Sequence, residues 1–317
     1  MNTWQFIYNK LSASVNVMLL YVLHSKGSSP GRQGFNMAVA ADNSFFGSIG
    51  GGIMEHKFVE MSKAMLQRNA VATCIYRQLH DKEAGKNKSG MICSGEQTIF
   101  IYKVQPTDLL QISALLNSLH QNKNGTLQLS KEGIIFSDNI PEDNFYFKQE
   151  SETSFLLIEK SGNKNQLHII GGGHCALALS KLMRDMDFYI KVYDDRPALN
   201  TVEENNYAHE KIIVSSYSEL ESRIENGNNV YVVVMTFGYR TDDQAVKALL
   251  NKNFKYMGVL GSKKKMEKMF AADKAENMNK RILNKIHSPI GIQIKSETPE
   301  EIAISIAAEI IAVKNNI

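Results

Sequence analysis

The sequence predicts an α/β fold in two parts: a small N-terminal α/β domain, followed by a Rossmann-like domain built on a doubly wound parallel sheet. Three observations support this. A chain of 317 residues is longer than one typical core requires. From Leu167 onward, strand-like and helix-like segments alternate along the chain. The continuous apolar runs IKVY and VYVVVM in this region are typical of strands covered on both faces.

The N-terminal domain is expected over residues 1–105 and begins with a short helix at Trp4–Leu11. The apolar run that follows, Val15–Leu23, is too short to span a bilayer. A buried strand is predicted at Val15–His24. Asp42-Asn43 is a hairpin-type turn signal. Further strands are predicted at Asn36–Ala41, Ala72–Leu79 and Gln97–Val104, with a helix at Ile53–Gln67.

Residues 106–165 are expected to connect the two domains. The predicted elements are a helix at Thr107–His120 and strands at Thr126–Leu129, Ile134–Phe136 and Phe155–Glu159. The stretch SGNKNQ that follows has the composition of a linker.

The Rossmann-like domain is expected over residues 166–317. Its predicted strands are Leu167–Gly171, Tyr189–Asp194, Lys211–Val214, Val230–Thr236 and Tyr256–Leu260. The last helix begins within Thr298-Pro299-Glu300-Glu301. This motif combines an N-cap, a proline at the first helical position and an acid at the third.

Composition excludes several classes of function. A net charge of +3 argues against a dedicated nucleic-acid binder, which would carry a strong basic stripe. Without a membrane span or a signal-peptide pattern, we expect a cytoplasmic protein. The cysteines, Cys74, Cys93 and Cys175, do not form a disulfide framework or a CxxC zinc pattern.

The glycine cluster in LHIIGGGHCALA predicts a nucleotide-binding turn. Gly171, Gly173 and Ala176 fit the pattern G-x-G-x-x-G/A, in which the glycines allow a tight turn and the approach of a ligand to the backbone. Asp194 closes the next strand, where a carboxylate can hold ribose hydroxyls. His174 stands at the start of the helix, beside the expected phosphate. The candidate ligand is NAD(P) or another nucleotide.

Other loops lie at the same predicted edge of the sheet. Arg196 in Asp194-Asp195-Arg196-Pro197 contributes to this edge or pairs with an acid to close the turn. The loop 236–242 follows one strand. Gly261 and Ser262, followed by three lysines, open a helix after another strand and suit an anion, although a solvated surface is the alternative.

A second glycine cluster lies in GSIGGGIME and includes Gly47, Ser48 and the run Gly50–Gly52. Glycine is costly to order, so such a run indicates that something approaches the backbone closely. Together with GSSPGRQG and Cys93 in GMICSGE, it predicts an anion-binding loop near a thiol, and a thiolate is a soft ligand for metals. Glu55 opens the next helix and either accepts a ligand N–H or favours the helix N-terminus.

Several motifs, in order along nearly the whole chain, resemble the xanthine dehydrogenase accessory factor family (XdhC/CoxI). They are GSSPGR from Gly27, GSIGGGIME from Gly47, GMICSG from Gly90, IGGGHCA from Ile170, YDDRP from Tyr193, VLGSKKK from Val259, and HSPIGI from His287 with TPEEIAISIAAEI from Thr298. The chain departs from the family pattern at Ser94, because the cysteine in this family is commonly followed by two glycines.

The resemblance implies a cytoplasmic, homodimeric protein that binds the molybdenum cofactor and holds it while a sulfur ligand is installed. The loaded cofactor, a phosphorylated pterin dithiolene (molybdopterin), then passes to a xanthine dehydrogenase-type molybdoenzyme. A cysteine desulfurase is the implied sulfur donor. On this basis Gly47, Ser48, Gly50, Gly51, Gly52 and Glu55 would hold the pterin, and Cys93 would approach molybdenum or protect the sulfurated form.

Two other classes of function stay open. An NAD(P)-dependent oxidoreductase would use Gly171, Gly173 and Asp194, but the sequence offers no assured proton donor beyond His174 or Tyr239. A purely structural adaptor would leave both glycine clusters unexplained. Catalysis of xanthine oxidation by the chain itself is disfavoured, because it lacks cysteine groups for iron–sulfur clusters and is short for such an enzyme.

Overall fold

The structure is a computed structural model that describes residues 2–68, 73–79, 95–151, 154–261 and 286–317. The chain divides into two compact units, Met1–Gly162 and Asn163–Ile317. Most of residues 106–165 therefore pack within the first unit. Within the described ranges, no helix is long and apolar enough to cross a membrane.

The first unit contains two antiparallel sheets and three helices among its described residues. Its helices are α1 (Thr3–Ser12), α2 (Gly52–Gln67) and α3 (Leu109–His120). The first sheet has the order β3-β2-β1-β5-β4, with β1 at Val17–Gly27, β2 at Asn36–Ala40, β3 at Phe45–Gly47, β4 at Thr73–Leu79 and β5 at Gly95–Lys103. The second has the order β7-β6-β9-β8, with β6 at Gly125–Ser130, β7 at Gly133–Ser137, β8 at Phe145–Gln149 and β9 at Phe155–Ser161.

Strand β1 runs through the middle of the first unit, as its unbroken apolar run predicts. Residues 17–23 have 0% exposed surface. Side chains alternate along a strand, so Leu19 and Tyr21 enter a core shared with α1, α3 and the second sheet. Leu20 and Val22 enter the opposite core, beneath α2. Both faces of the first sheet are therefore covered.

The second unit is a doubly wound parallel sheet, which confirms the predicted fold class. Its strand order is β12-β11-β10-β13-β14, and every pairing is parallel. The strands are β10 (Asn165–Ile170), β11 (Phe188–Asp194), β12 (Glu210–Ile213), β13 (Gly227–Val234) and β14 (Phe254–Val259). The described helices are α4 (His174–Arg184), α5 (Asn200–Glu203), α6 (Leu220–Arg223), α7 (Tyr239–Leu249) and α8 (Pro299–Lys314).

This strand order places a topological switch between β10 and β13, where connections leave in opposite directions. In open α/β sheets, ligands bind at the carboxyl ends of the strands at such a point. One hydrophobic core lies under α4 and α8, and another lies under α6 and α7 on the opposite face. Helix α8 begins with the predicted capping box, in which Thr298 and Glu301 bond each other's backbone N–H.

Candidate functional site

The structure places the predicted site residues in two groups, one in each unit. The first group surrounds the turn from β3 into α2 and contains Gly47, Ser48, Gly50, Gly51, Gly52 and Glu55. The second lies at the carboxyl edge of the parallel sheet and contains Gly171, Gly173, His174, Asp194 and Gly261. Cys93 and Ser262 lie outside the described residues.

At two positions of the first group, close contacts with neighbouring protein atoms explain why the residue is glycine. Gly47 ends β3, and a Cβ built on it would lie 2.3 Å from the carbonyl oxygen of Asn36. A Cβ on Gly50 would lie 2.5 Å from the amide nitrogen of Gly31, in the other glycine-rich loop. Both glycines also have positive φ angles. Close approach of one backbone segment to another therefore excludes side chains at these two positions.

The buried side chain of Gln97 joins the two glycine-rich loops. Its Nε2 atom donates to the carbonyl oxygens of Gly31 and Ile49, both at 3.1 Å. A Cβ on Gly31 would lie 2.1 Å from the same Ile49 oxygen. The sequence analysis missed Gln97 because a glutamine within an apolar strand carries no recognisable motif.

Gly51 differs from Gly47 and Gly50, because no atom lies within 4 Å of a Cβ built on it. Its backbone has φ 75° and ψ −172°, a conformation that is almost confined to glycine. Helix α2 begins at the next residue, and the first N–H groups of a helix have no partner within it. Gly51 thus leaves open space beside unpaired backbone donors, as a phosphate site requires.

The Glu55 carboxylate holds this turn in shape. Its Oε2 atom accepts hydrogen bonds from the Ser48 hydroxyl at 2.7 Å, from the Ile49 N–H at 2.8 Å and from the Gly51 N–H at 3.0 Å. The alternative that Glu55 serves the start of the helix therefore has direct structural support. Its role as a pterin ligand stays a prediction.

Strand β5 brings a third segment to the same place. A Cβ on Gly95, the first residue of β5, would lie 2.6 Å from the amide nitrogen of Ser29. The Ser29 hydroxyl is buried and donates to the carbonyl oxygen of Gly31 at 2.7 Å. The loops that begin at Gly27 and Gly47 and the start of β5 therefore converge in the first unit.

In the second unit, Gly171 and Gly172 are also explained by close contacts. A Cβ on Gly171, whose φ is +105°, would lie 2.4 Å from the carbonyl oxygen of Met235, just after β13. A Cβ on Gly172 would lie 2.1 Å from Cγ2 of Val202. The first two glycines therefore allow the turn to fit between its neighbours.

Gly173 is the open position of this cluster. No atom lies within 4 Å of its built Cβ, and it is the N-cap of α4. His174 follows it as an exposed first residue of the helix, whereas Ala176 is fully buried against the sheet. This agrees with the turn geometry of a dinucleotide-binding motif.

Asp194 is almost fully buried, with 1% of its surface exposed, and it is already fully bonded. Its Oδ2 atom accepts from the Gly172 N–H at 2.7 Å and from Nη2 of Arg196 at 2.8 Å. Its Oδ1 atom accepts from the backbone N–H and Nε of Arg196, at 2.9 and 2.8 Å. Burial raises the pKa of Asp194, but these hydrogen bonds outweigh it and the pKa is lowered.

The loop after β13 is ordered by another buried acid. Asp242, with 0% exposed surface, accepts from the N–H of Thr236 at 2.9 Å and from its hydroxyl at 2.6 Å. The Thr241 hydroxyl bonds that of Thr236 at 2.6 Å. Between them, Phe237 leaves 69% of its surface exposed. This hydrogen-bonded turn thus presents an aromatic ring at the carboxyl edge of the sheet.

The sequence analysis assigned no role to Glu309, which anchors the HSPIGI segment to α8. It accepts from the Tyr256 hydroxyl at 2.5 Å and the Gly291 N–H at 2.8 Å, and it contacts Nδ1 of His287 at 3.0 Å. Burial raises the pKa of Glu309, but the bonds from these three residues lower it overall. In the sequence, Glu309 is recognisable as an acidic residue within the otherwise apolar stretch of the last helix.

Among the described residues, no group of three or more histidine, cysteine or acidic side chains could hold a metal ion. The two described cysteines, Cys74 and Cys175, are free and partly buried. Burial raises the pKa of both thiols, so neither is activated as a thiolate.

Two family models match the chain. Residues 11–76 match the XdhC and CoxI family, and residues 167–310 match the XdhC Rossmann domain. The two matches contain both glycine clusters.

Two curated proteins are similar to the chain. The uncharacterized protein YqeB of Escherichia coli K12 is 26% identical over 301 residues, which are 93% of this chain and 43% of that protein. A probable xanthine dehydrogenase subunit of Bacillus subtilis is 28% identical over 166 residues, which are 52% of this chain and 48% of that protein. The chain therefore spans about half the length of the curated relatives it matches.

A solved structure supports the fold. A crystal structure described as a xanthine dehydrogenase from Bacillus halodurans matches with a TM-score of 0.72 at 22% identity, covering 100% of this chain and 96% of that chain. The expected family resemblance is confirmed by the two models, which match in the predicted order. The chain belongs to the XdhC and CoxI family.

Proposed function

We propose that this protein binds the molybdenum cofactor at the turn from β3 into α2 and delivers its sulfurated form to a xanthine dehydrogenase-type molybdenum hydroxylase. The cofactor is cargo in this proposal, held and passed on. A cysteine desulfurase is the class of enzyme that would supply the sulfur, and a homodimer is the proposed assembly. The observation that carries the proposal is the open space at Gly51 beside the start of α2.

The residues of this turn fit the phosphate of a pterin. Gly51 is half-buried and Gly52 is exposed, so the main chain is accessible on this side. The N–H of Gly51 is taken by Glu55, whereas the next N–H groups lie at the open end of α2. A helix N-terminus favours an anion through these donors and through its dipole.

Cys93 is the proposed contact to the molybdenum end of the cargo. It precedes Gly95, the first residue of β5, by two positions in the sequence, and β5 begins beside the two glycine-rich loops. A thiolate is a soft ligand suited to molybdenum–sulfur chemistry. Its role here is to hold or shield the metal while the sulfurated form is stored.

Binding is tested by gel filtration of the protein after mixing with freshly released cofactor, with molybdenum and pterin measured in the protein peak. We expect stoichiometric binding. Ile53 is 62% exposed at the second position of α2, so a charge can be introduced there without disturbing the core. Ile53→Glu places a negative charge where it suits the helix but repels a phosphate, so binding should fall at least tenfold.

Ile53→Gln is the matched control, because it is polar and similar in size but uncharged. It should bind as the wild type does. Equal binding by the Glu and Gln variants would place the phosphate elsewhere, and no binding by the wild type would refute the cargo itself.

A further inference from the structure

Arg196 lies across the switch point of the parallel sheet. Asp194, to which it bonds, ends β11, and Phe237 follows β13; these two strands lie on either side of β10. The guanidinium carbon of Arg196 is 5.1 Å from the centroid of the Phe237 ring. The charged group therefore bridges the carboxyl end of β10, next to the glycine turn.

Arg196 and Asp194 form a bidentate ion pair that fixes the orientation of the guanidinium. The guanidinium uses Nε and Nη2 to bond both carboxylate oxygens, and the exposed ring of Phe237 supports its plane through a cation–π contact. Its Nη1 atom has no acceptor among the described residues, and 39% of the side chain is exposed. An oriented donor with a positive charge thus faces the ligand-binding edge.

We propose that the Rossmann domain binds an adenine nucleotide that carries a 2′-phosphate, of the NADP class, in preference to one with a free ribose diol. The 2′-phosphate would accept from Nη1 of Arg196. This inference does not depend on cofactor binding in the first unit.

The hydrogen bonds of Asp194 are the first reason for this preference. In NAD-type sites an acid at this position accepts from the ribose hydroxyls, whereas a nearby arginine accommodates a 2′-phosphate. A carboxylate offers about four acceptor positions, and four protein N–H groups already occupy Asp194. A free diol would find no acceptor there, and a phosphate would find a planar donor that matches its geometry.

Two further residues shape the site. Gly173 leaves open space at the turn, through which the pyrophosphate can approach the backbone. Asp195 lies 4.0 Å from Nε of Arg196 and opposes a phosphate by its charge. Replacement of this acid by a neutral amide should therefore tighten the binding of the phosphorylated nucleotide.

Isothermal titration of the full chain tests the proposal, with NADP⁺ and NAD⁺ as ligands and with adenosine 2′,5′-bisphosphate and 5′-ADP as minimal probes. We expect NADP⁺ and the bisphosphate to bind at least tenfold more tightly than their counterparts. Asp195→Asn should widen this ratio. Equal affinities, a preference for NAD⁺, or no binding of either ligand would overturn the proposal.

Arg196→Ala should reverse the preference, because it removes the phosphate donor and frees Asp194 to accept from a diol. Arg223→Ala is the matched control: Arg223 also holds a carboxylate, Glu219, through Nε and Nη2, and it is 43% exposed. The control should keep the wild-type ratio. If Arg196→Ala folds, as judged by circular dichroism, and keeps the wild-type ratio of affinities, Arg196 does not bind the 2′-phosphate. Arg196→Lys should retain a reduced preference, because it keeps the charge but loses the fork.

Discussion

At the residue scale, one oxygen of Glu55 accepts three hydrogen bonds, from Ser48, Ile49 and Gly51. Without this carboxylate, two backbone N–H groups at a tight turn lose their partner. The turn that leaves Gly51 open would then depend on its glycines alone. Glu55 therefore acts on the candidate site by fixing its shape, whether or not it touches the cargo.

We predict that Glu55→Ala lowers the free energy of unfolding by about 1–3 kcal/mol, the usual cost of an unsatisfied, partly buried polar group. Urea unfolding followed by circular dichroism measures this change. Glu60→Ala is the control on the same helix, since Glu60 bonds the side chain of Lys63 at the surface. Its effect should stay within about 0.5 kcal/mol. Equal effects of the two substitutions would mean that the carboxylate does not support the turn.

His168 is the clearest residue-scale source of pH dependence. It is 2% exposed within β10 and lies 3.1 Å from the Tyr193 hydroxyl. Burial, and then the positive charge of Lys191, lower the pKa of His168 from 6.5 to about 3. Between pH 6.5 and about 3, His168 carries a proton in the unfolded chain but not in the folded protein. The free energy of unfolding therefore falls as pH falls.

We predict that His168→Asn removes about 1 kcal/mol per pH unit from this dependence between pH 6.5 and 5, because the unfolded histidine is only half protonated at the upper end of this range. Asparagine can still hydrogen-bond Tyr193. Unfolding in urea at several pH values gives the slope, and His56→Asn, at an exposed histidine of α2, serves as the control. An unchanged slope in His168→Asn would show that the pKa of this histidine does not differ between the folded and the unfolded protein.

At the scale of elements, the glycine-rich loops form the candidate site by packing backbone against backbone. Gly31 has no room for a side chain, because its Cβ would lie 2.1 Å from the Ile49 oxygen and 2.4 Å from Nε2 of Gln97. We predict that Gly31→Ala separates the loops and costs about 1–3 kcal/mol of stability through overpacking. Thermal unfolding of the variant measures this cost.

Gly173→Ala is the control for that experiment. Gly173 also has a negative φ, and its Cβ would meet no atom within 4 Å. Alanine there should be neutral or slightly stabilising. If both alanine variants had the same stability, the loops would not be in the contact described.

The sequence predicted most of these elements, because strand and helix periodicities are local. It missed β3, which has only three residues, and β8, whose side chains are largely exposed. It also could not say which glycines make room for protein and which for a ligand. That distinction depends on partners such as Gly31 for Gly50, or Met235 for Gly171, which are distant in the chain.

At the scale of the whole molecule, each unit has its own cores and its own glycine turn. In each turn two glycines fit closely against the protein and one, Gly51 or Gly173, faces open space. The sequence predicted the strand, turn and helix around Gly173 and their place at the carboxyl edge of a parallel sheet, whereas the strand order and its switch point come from the structure. It left open whether Arg196 pairs with an acid, and the structure shows that it does.

We propose that the protein stores the molybdenum cofactor and hands it to a client enzyme. The most direct measurement mixes the loaded protein with a cofactor-free xanthine dehydrogenase and follows xanthine oxidation, for the wild type, Cys93→Ala and the control Cys74→Ala. We expect activity to appear in proportion to the cofactor supplied, with a large loss in Cys93→Ala only. Equal handover by all three proteins would contradict the role of Cys93, and no activity with the loaded wild type would contradict delivery itself.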